Sequence, residues 1–163
     1  MSVKLNPIVE FREDHRKVRD FLLDLAFAAE KGEVGTAQEI LGELDAVLGP
    51  HFRYEEETLY PALKEFLGDY VDGLISEHDS AISAAKTAVG LLSQPSLSKA
   101  EGKKLAKTAR ALLVHVSNCD GLNILAERFS QEKLDTLAER YSRSRAEGVP
   151  LLRWADTIRR RKN

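Results

Sequence analysis

Four histidines, His15, His51, His78 and His115, each occupy a slot in the apolar stripe of a different expected helix, and Glu55 follows His51 by one turn in the same stripe. A carboxylate in a core is costly without a counter-charge. Neutral imidazole asks for one donor and one acceptor partner, and these stripes offer few of either. A metal ion meets both needs, since it takes the ring lone pair directly and balances the carboxylate. A single histidine on an apolar face is ordinarily a hydrogen-bonded core residue; four at one level need a different explanation. Histidine with carboxylate suits iron, manganese or zinc. A carboxylate able to bridge two ions favours a dinuclear centre.

The elements that must position these groups read as helices, with no segment alternating like a strand. The first starts at Asn6 and Pro7, a capping residue and a first-turn proline. It carries Ile8, Phe11, His15, Val18, Leu22, Leu25 and Ala29 on one face and ends at Gly32. The second carries Ala37, Leu41, Leu44, Leu48, His51, Glu55, Leu59 and Ala62. Gly49-Pro50 is expected to kink it, Pro61 to break it again and Gly68 to close it. The third carries Val71, Leu74, His78, Ala81, Ala85, Val89 and Leu92 and stops at Pro95. The fourth opens on a Ser98/Glu101 capping box and carries Leu105, Thr108, Leu112, His115, Cys119, Leu122, Ala126 and Phe129.

Short connections predict an all-α, antiparallel, up-down-up-down four-helix bundle over residues 1–130. His15 lies 17 residues before Gly32 and His51 19 after it. His78 and His115 are equally balanced about the turn near Ser96. At about 1.5 Å of rise per residue, the two members of each pair sit within about 3 Å of the same height. Glu55 and His78 balance in the same way about Gly68, so all five groups converge on one layer near mid-bundle.

Residues 131–163 are expected to form a C-terminal helical extension packing on or beside the bundle. Ser130 caps a helix to about Ser144, Gly148-Val149-Pro150 breaks it, and a short last helix puts Leu151, Trp154 and Ile158 on one side. The run Arg159-Arg160-Arg161-Lys162 reads as a solvated terminus. With 163 residues, 43% apolar and 31% charged, the chain suits one folded domain. A formal net charge of -2 gives no general attraction to nucleic acid or membrane. The single cysteine excludes an internal disulfide, and no apolar run approaches the ~18 residues of a membrane span. The start lacks a signal-peptide core, so a cytoplasmic location is expected. Nothing points to a particular protein partner. There is no phosphate-binding glycine loop, no CxxC pair and no nucleophile triad.

These residues resemble the hemerythrin-like, or HHE cation-binding, domain family over about residues 8–130. The resemblance is carried by Phe11-Arg12-Glu13-Asp14-His15, by His51-Phe52-Arg53-Tyr54-Glu55-Glu56-Glu57-Thr58-Leu59-Tyr60-Pro61, by Glu77-His78-Asp79 and by the His115 segment. The second motif is the most specific. The resemblance implies a four-helix bundle enclosing a non-haem di-iron centre with two Fe ions, manganese or zinc ranking below iron. It implies that His15 and His51 bind one ion, that His78 and His115 bind the other, and that Glu55 bridges. The implied ligand is O2, peroxide or NO, or the centre senses iron or redox state. A peroxide-decomposing or oxidase enzyme on the same centre, and an interaction module holding a single zinc or no metal, are the alternatives.

Two departures bear on the site. Oxygen-carrying members have a further histidine one turn before His78, where this chain has Leu74. One ion therefore lacks a ligand, which favours an open, reactive or sensing site over a reversible carrier. The common bacterial pattern ends in His-x3-Glu, whereas here Cys119 stands four residues after His115 and Asp120 five. On an ideal helix Cys119 lies about 40° from His115 and Asp120 about 140°, so angle favours the cysteine. Carboxylate suits a bridged iron pair and a thiolate beside iron invites oxidation, so ligand chemistry favours Asp120. The expected ligand set is His15, His51, Glu55, His78, His115 and Asp120, with Cys119 a buried filler. Glu13, Asp14, Glu56 and Glu57 are expected on a solvated face, Glu77 and Asp79 are second-rank candidates for orienting ligands, and Tyr54 and Tyr60 are expected to pack.

Overall fold

The Asn6 side chain accepts the N–H groups of Ile8 and Val9 at 3.0 and 3.2 Å, satisfying donors that the first helical turn leaves unpaired. From that cap α1 (Pro7–Lys31) runs to Gly32. The computed structural model describes residues 4–161, and Lys162 of the basic run lies outside the described residues. After α1 come α2 (Val34–Tyr54), a π-helical turn (Glu55–Leu59), α3 (Tyr60–Leu67), α4 (Tyr70–Leu92) and α5 (Lys99–Ala126). The expected capping box is present, with the Ser98 hydroxyl and the Glu101 carboxylate each taking the other's backbone N–H. The extension forms α6 (Gln131–Glu147), capped by Ser130, and α7 (Leu151–Thr157). No strand occurs among the described residues, and none of their helices is long and apolar enough to cross a membrane.

The four long segments close a ring: α1 packs on α2 and α5, and α4 packs on α2 and α5. Inside the ring the histidines divide two apolar clusters. Val18, Leu22, Leu25, Leu44, Leu92 and Leu105 fill one end. Phe11, Tyr60, Leu63, Val71, Leu74 and Phe129 fill the other. On α1, His15 falls between Phe11 and Val18, and on α4, His78 follows Leu74, so a polar layer separates two dry ones.

The extension packs against this ring. Both α6 and α7 pack on α2. Leu151 and Trp154 are buried against Phe52, Ala81 and Ile82, a burial that stabilises by roughly 2 kcal/mol for each large side chain. Gly49 explains how closely they approach. A methyl group there would lie 2.0 Å from the Val149 carbonyl oxygen and 2.6 Å from the Pro150 carbonyl carbon. Gly49 is therefore a docking surface for the extension, and α2 continues through Pro50 rather than stopping there. Gly102 plays the same role where α5 crosses the Ala29 carbonyl of α1. Two expected core positions face outward instead, Val89 on α4 and Ile158 just after α7.

Candidate metal centre

The turn that carries Glu55 is not α-helical. Pro61 has no N–H to give and its ring crowds the carbonyl four residues back, at Glu57. The chain widens instead of breaking, and the Tyr60 N–H reaches five residues back to the Glu55 carbonyl. Such π-turns are rare and occur mostly at functional sites. This one leaves Glu55 in phase with His51 and swings Tyr60 and Leu63 toward the same interior face, where both are buried.

All four histidines present the same construction. Their outer Nδ1 atoms face carboxylates: His15 meets Asp120 at 3.0 Å, His51 meets Asp14 at 3.1 Å, His78 meets Glu56 at 2.9 Å and His115 meets Glu77 at 2.5 Å. A carboxylate there takes the Nδ1 proton, fixes the ring and leaves the Nε2 lone pair for the interior. The inner atoms converge as that requires. His15 Nε2 and His51 Nε2 are 3.2 Å apart, and His51 Nε2 is 3.4 Å from Glu55 Oε1. His78 Nε2 is 2.9 Å from Glu55 Oε2. Cys119 Sγ is 3.4 Å from His115 Nε2, and the His78 and His115 ring centres are 4.8 Å apart.

Two triads result. One ligand atom each from His15, His51 and Glu55 lie within 4.8 Å of one another, and so do those of Glu55, His115 and Cys119. Glu55 belongs to both. Its carboxylate is wholly buried, and neither oxygen receives a well-directed hydrogen bond despite the nearby rings. An ionised carboxylate in that position is stable only with cations beside it. Imidazole and carboxylate donors, one thiol and an orphaned buried carboxylate together fit a transition-metal site.

Electrostatics without a cation show the same demand. Burial by itself would raise the Glu55 pKa, but His51 and His78 hold it well below the usual carboxylate range. Burial likewise opposes charge on His51, yet Glu55 and Asp14 outweigh it and raise the ring to about 9. His15 goes the other way, to about 4, because burial and the facing His51 both disfavour its cation. One proton serves two rings whose nitrogens touch.

The carboxylates behind the rings are held in turn, and much of the hold comes from the extension. Asp14 is buried, receives the Tyr141 hydroxyl and pairs with Arg145 at 2.9 Å. Burial works against its charge, but His51, Tyr141 and Arg145 bring its pKa down to about 2. Glu56 is gripped by Arg159 at 2.7 Å, and Arg159 also pairs with Asp79 at 2.8 Å.

Of the expected ligands, the structure brings His15, His51, Glu55, His78 and His115 into one layer. Asp120 it places elsewhere: half-exposed, on the outer nitrogen of His15 and 4.0 Å from Arg12. The side chain that faces Glu55 and His115 is Cys119, as the 100° helical step requires. Leu74 is buried in the apolar cluster next to the site, and the Tyr60 hydroxyl is a further polar neighbour of His78 at 3.2 Å. Asp14 and Glu56 leave the solvated face expected of them, whereas Glu13 and Glu57 stay on it. Arg159 is buried rather than solvated. A signal for these supporting groups did exist. Asp14, Glu56 and Glu77 each adjoin a ligand-layer residue in sequence, although each serves a histidine of another helix.

A cavity of about 30 Å³ reaches the layer, bounded by His15, His51, His115 and Phe52. It shares Leu22, Leu48, Ala81 and Leu112 with an apolar cavity of about 340 Å³ at the far end of the ring. A sequence model of the family described as Hemerythrin HHE cation binding domain matches residues 6–122 of the chain. No curated protein and no solved structure matches it.

Proposed function

Because this chain belongs to the hemerythrin HHE cation-binding domain family, we propose that its histidine layer holds a pair of non-haem iron ions that bind or react with a small molecule, O2, peroxide or NO, or report iron or redox state. The observation that carries this reading is Glu55, a fully buried carboxylate shared by two triads, with His51 and His78 beside it but no well-directed hydrogen bond to either oxygen. His15 and His51 would hold one ion, His78 and His115 the other, with Glu55 shared between them. Asp120, Asp14, Glu56 and Glu77 keep the four rings aimed inward. Asp120 acts in this scheme by orienting His15 rather than by coordination. The short connections argue for an up-down-up-down antiparallel arrangement of the ring, with the extension as part of the same unit.

Two bound irons supply one-electron redox chemistry and a coordination position for a small ligand. The protein's own part is to fix the rings, exclude bulk water and admit the ligand. The apolar cavities suit that last task, because a small apolar molecule enters them without losing hydrogen bonds to water.

The test is metal analysis of iron-loaded protein together with its absorption spectrum before and after azide or peroxide. Two irons per chain and a near-ultraviolet band that shifts on adding either anion are expected. One zinc or no metal per chain would mean a metal-stabilised or metal-free interaction module instead. Peroxide turnover distinguishes an enzyme from a sensor or carrier on the same centre.

A further inference from the structure

The geometry points to Cys119 as a thiolate ligand of the second half-site, which makes the two half-sites chemically unequal; this rests on the dinuclear reading above. Cys119 is fully buried. Its Sγ stands 3.4 Å from His115 Nε2, one turn earlier on α5, and 3.1 Å from the Tyr60 hydroxyl. A lone buried cysteine is ordinarily a small inert hydrophobe. Glu55 sets this one apart. The Glu55 carboxylate, fully buried and without a well-directed hydrogen bond, shares a space less than 4.8 Å across with the thiol and the His115 ring. His51 and His78 compensate the carboxylate from one side, but the thiol and the neutral His115 ring on the other give it little unless a cation lies among the three.

No nearby carboxylate competes for the position. Asp120 is engaged by the outer nitrogen of His15, and Glu77 by the outer nitrogen of His115. The Tyr60 hydroxyl lies 3.1 Å from the sulfur, where it could donate to a thiolate.

The first triad thus offers two nitrogens and one oxygen, while the second offers one nitrogen, one oxygen and one sulfur. Sulfur selects softer ions, so the second half-site prefers iron(II), cobalt(II) or zinc over manganese, and the first does not discriminate in that way. The thiol proton passes to solvent as the ion enters, so uptake at this half-site releases one proton.

Cobalt(II), titrated without oxygen into metal-free protein, is the probe. Thiolate-bound cobalt shows a sulfur-to-metal charge-transfer band in the near ultraviolet, whereas cobalt held by imidazole and carboxylate alone does not. The band is expected to saturate with one of two cobalt equivalents. It is expected to vanish in Cys119→Ser and in Cys119→Asp while cobalt binding persists. A tenfold excess of manganese should displace the cobalt that gives no band before the cobalt that does. Two cobalt ions bound without the band overturn the thiolate assignment and leave the dinuclear reading standing. No cobalt bound overturns both. Should the variants fail to fold, the presence or absence of the wild-type band decides the question by itself.

Discussion

His51 and His78, on α2 and α4, lean on carboxylates that are themselves buried or nearly so and are gripped by Arg145 and Arg159 of the C-terminal extension. His15 and His115, on α1 and α5, lean on Asp120 and Glu77, both 39% exposed at the side chain. Each half-site therefore pairs one clamped ring with one loosely supported ring. The clamped rings come from the face that α6 and α7 cover, and the loose ones from the face open to water. This division assigns the extension a task. It supports the carboxylates behind two of the four histidines, with Arg145 reaching Asp14 and Arg159 reaching Glu56 from far along the chain. It also suggests where an ion enters and leaves, since a ring backed by an exposed carboxylate can swing aside with less rearrangement.

Removing the group common to both half-sites is the severest way to break the comparison. Glu55→Gln keeps the shape but not the charge, and leaves an amide where two cations need an anion. Loss of both ions from the purified protein is expected, read by metal analysis, while helical circular dichroism persists. Retention of two ions by this variant would remove the basis for treating Glu55 as the bridge.

Next in size is the clamp. Arg159→Ala leaves Glu56 and Asp79, both largely buried, without their shared cation. Breaking a buried pair costs about 3 kcal/mol, and the guanidinium also stacks over Trp154. A fall in stability of that order is expected in urea unfolding. Metal affinity should weaken about 10- to 100-fold, because His78 loses the support behind its carboxylate. Arg159→Lys keeps the charge but not the fork that spans two carboxylates, and should fall between wild type and Ala. If Arg159→Ala and Glu77→Ala weaken metal binding equally, the two faces are not different in the way described.

The facing rings of the first half-site give a pH signature to the metal-free protein. His51, raised to about 9, adds stability that is complete below its unfolded value near 6.5 and is lost as pH rises through 9. His15, lowered to about 4, removes stability as pH falls from 6.5 through 4. Together they predict a stability maximum near pH 6.5, flanked by losses of roughly 3 kcal/mol on each side. Denaturant midpoints across that range test it. Bound metal should flatten the alkaline limb, because the ions take over the role of the shared proton.

The layer itself was legible in the sequence because helical rise and short turns fix height, and height is all that places His15 beside His51. The π-turn was not. Pro61 announced a disturbance, but a break and a widened turn look alike until tertiary packing selects one. The clamps were hidden for another reason. Arg159 meets Glu56 across 103 positions, and no local pattern encodes a contact set by how α7 lies on Gly49. At residues 119 and 120 two principles disagreed, angle and ligand preference. In the structure angle prevails, since moving Asp120 through about 100° would unwind a helix that packs tightly on α1.

That outcome yields the smallest of the expected effects, and it sharpens the contrast between the faces most directly. If Asp120 only orients His15 from a half-exposed position, Asp120→Ala removes one hydrogen bond to a neutral ring, worth about 1 kcal/mol. Both ions should remain bound at saturating metal, with affinity at the first half-site weaker by about tenfold. Asp120→Asn, which can still accept the Nδ1 proton, should recover part of that loss. A ligand would behave differently: its removal would cost an ion outright, and the amide would not restore it. Metal stoichiometry of these two variants beside Arg159→Ala therefore measures, on one scale, how much of the centre is held by the covered face and how much by the open one.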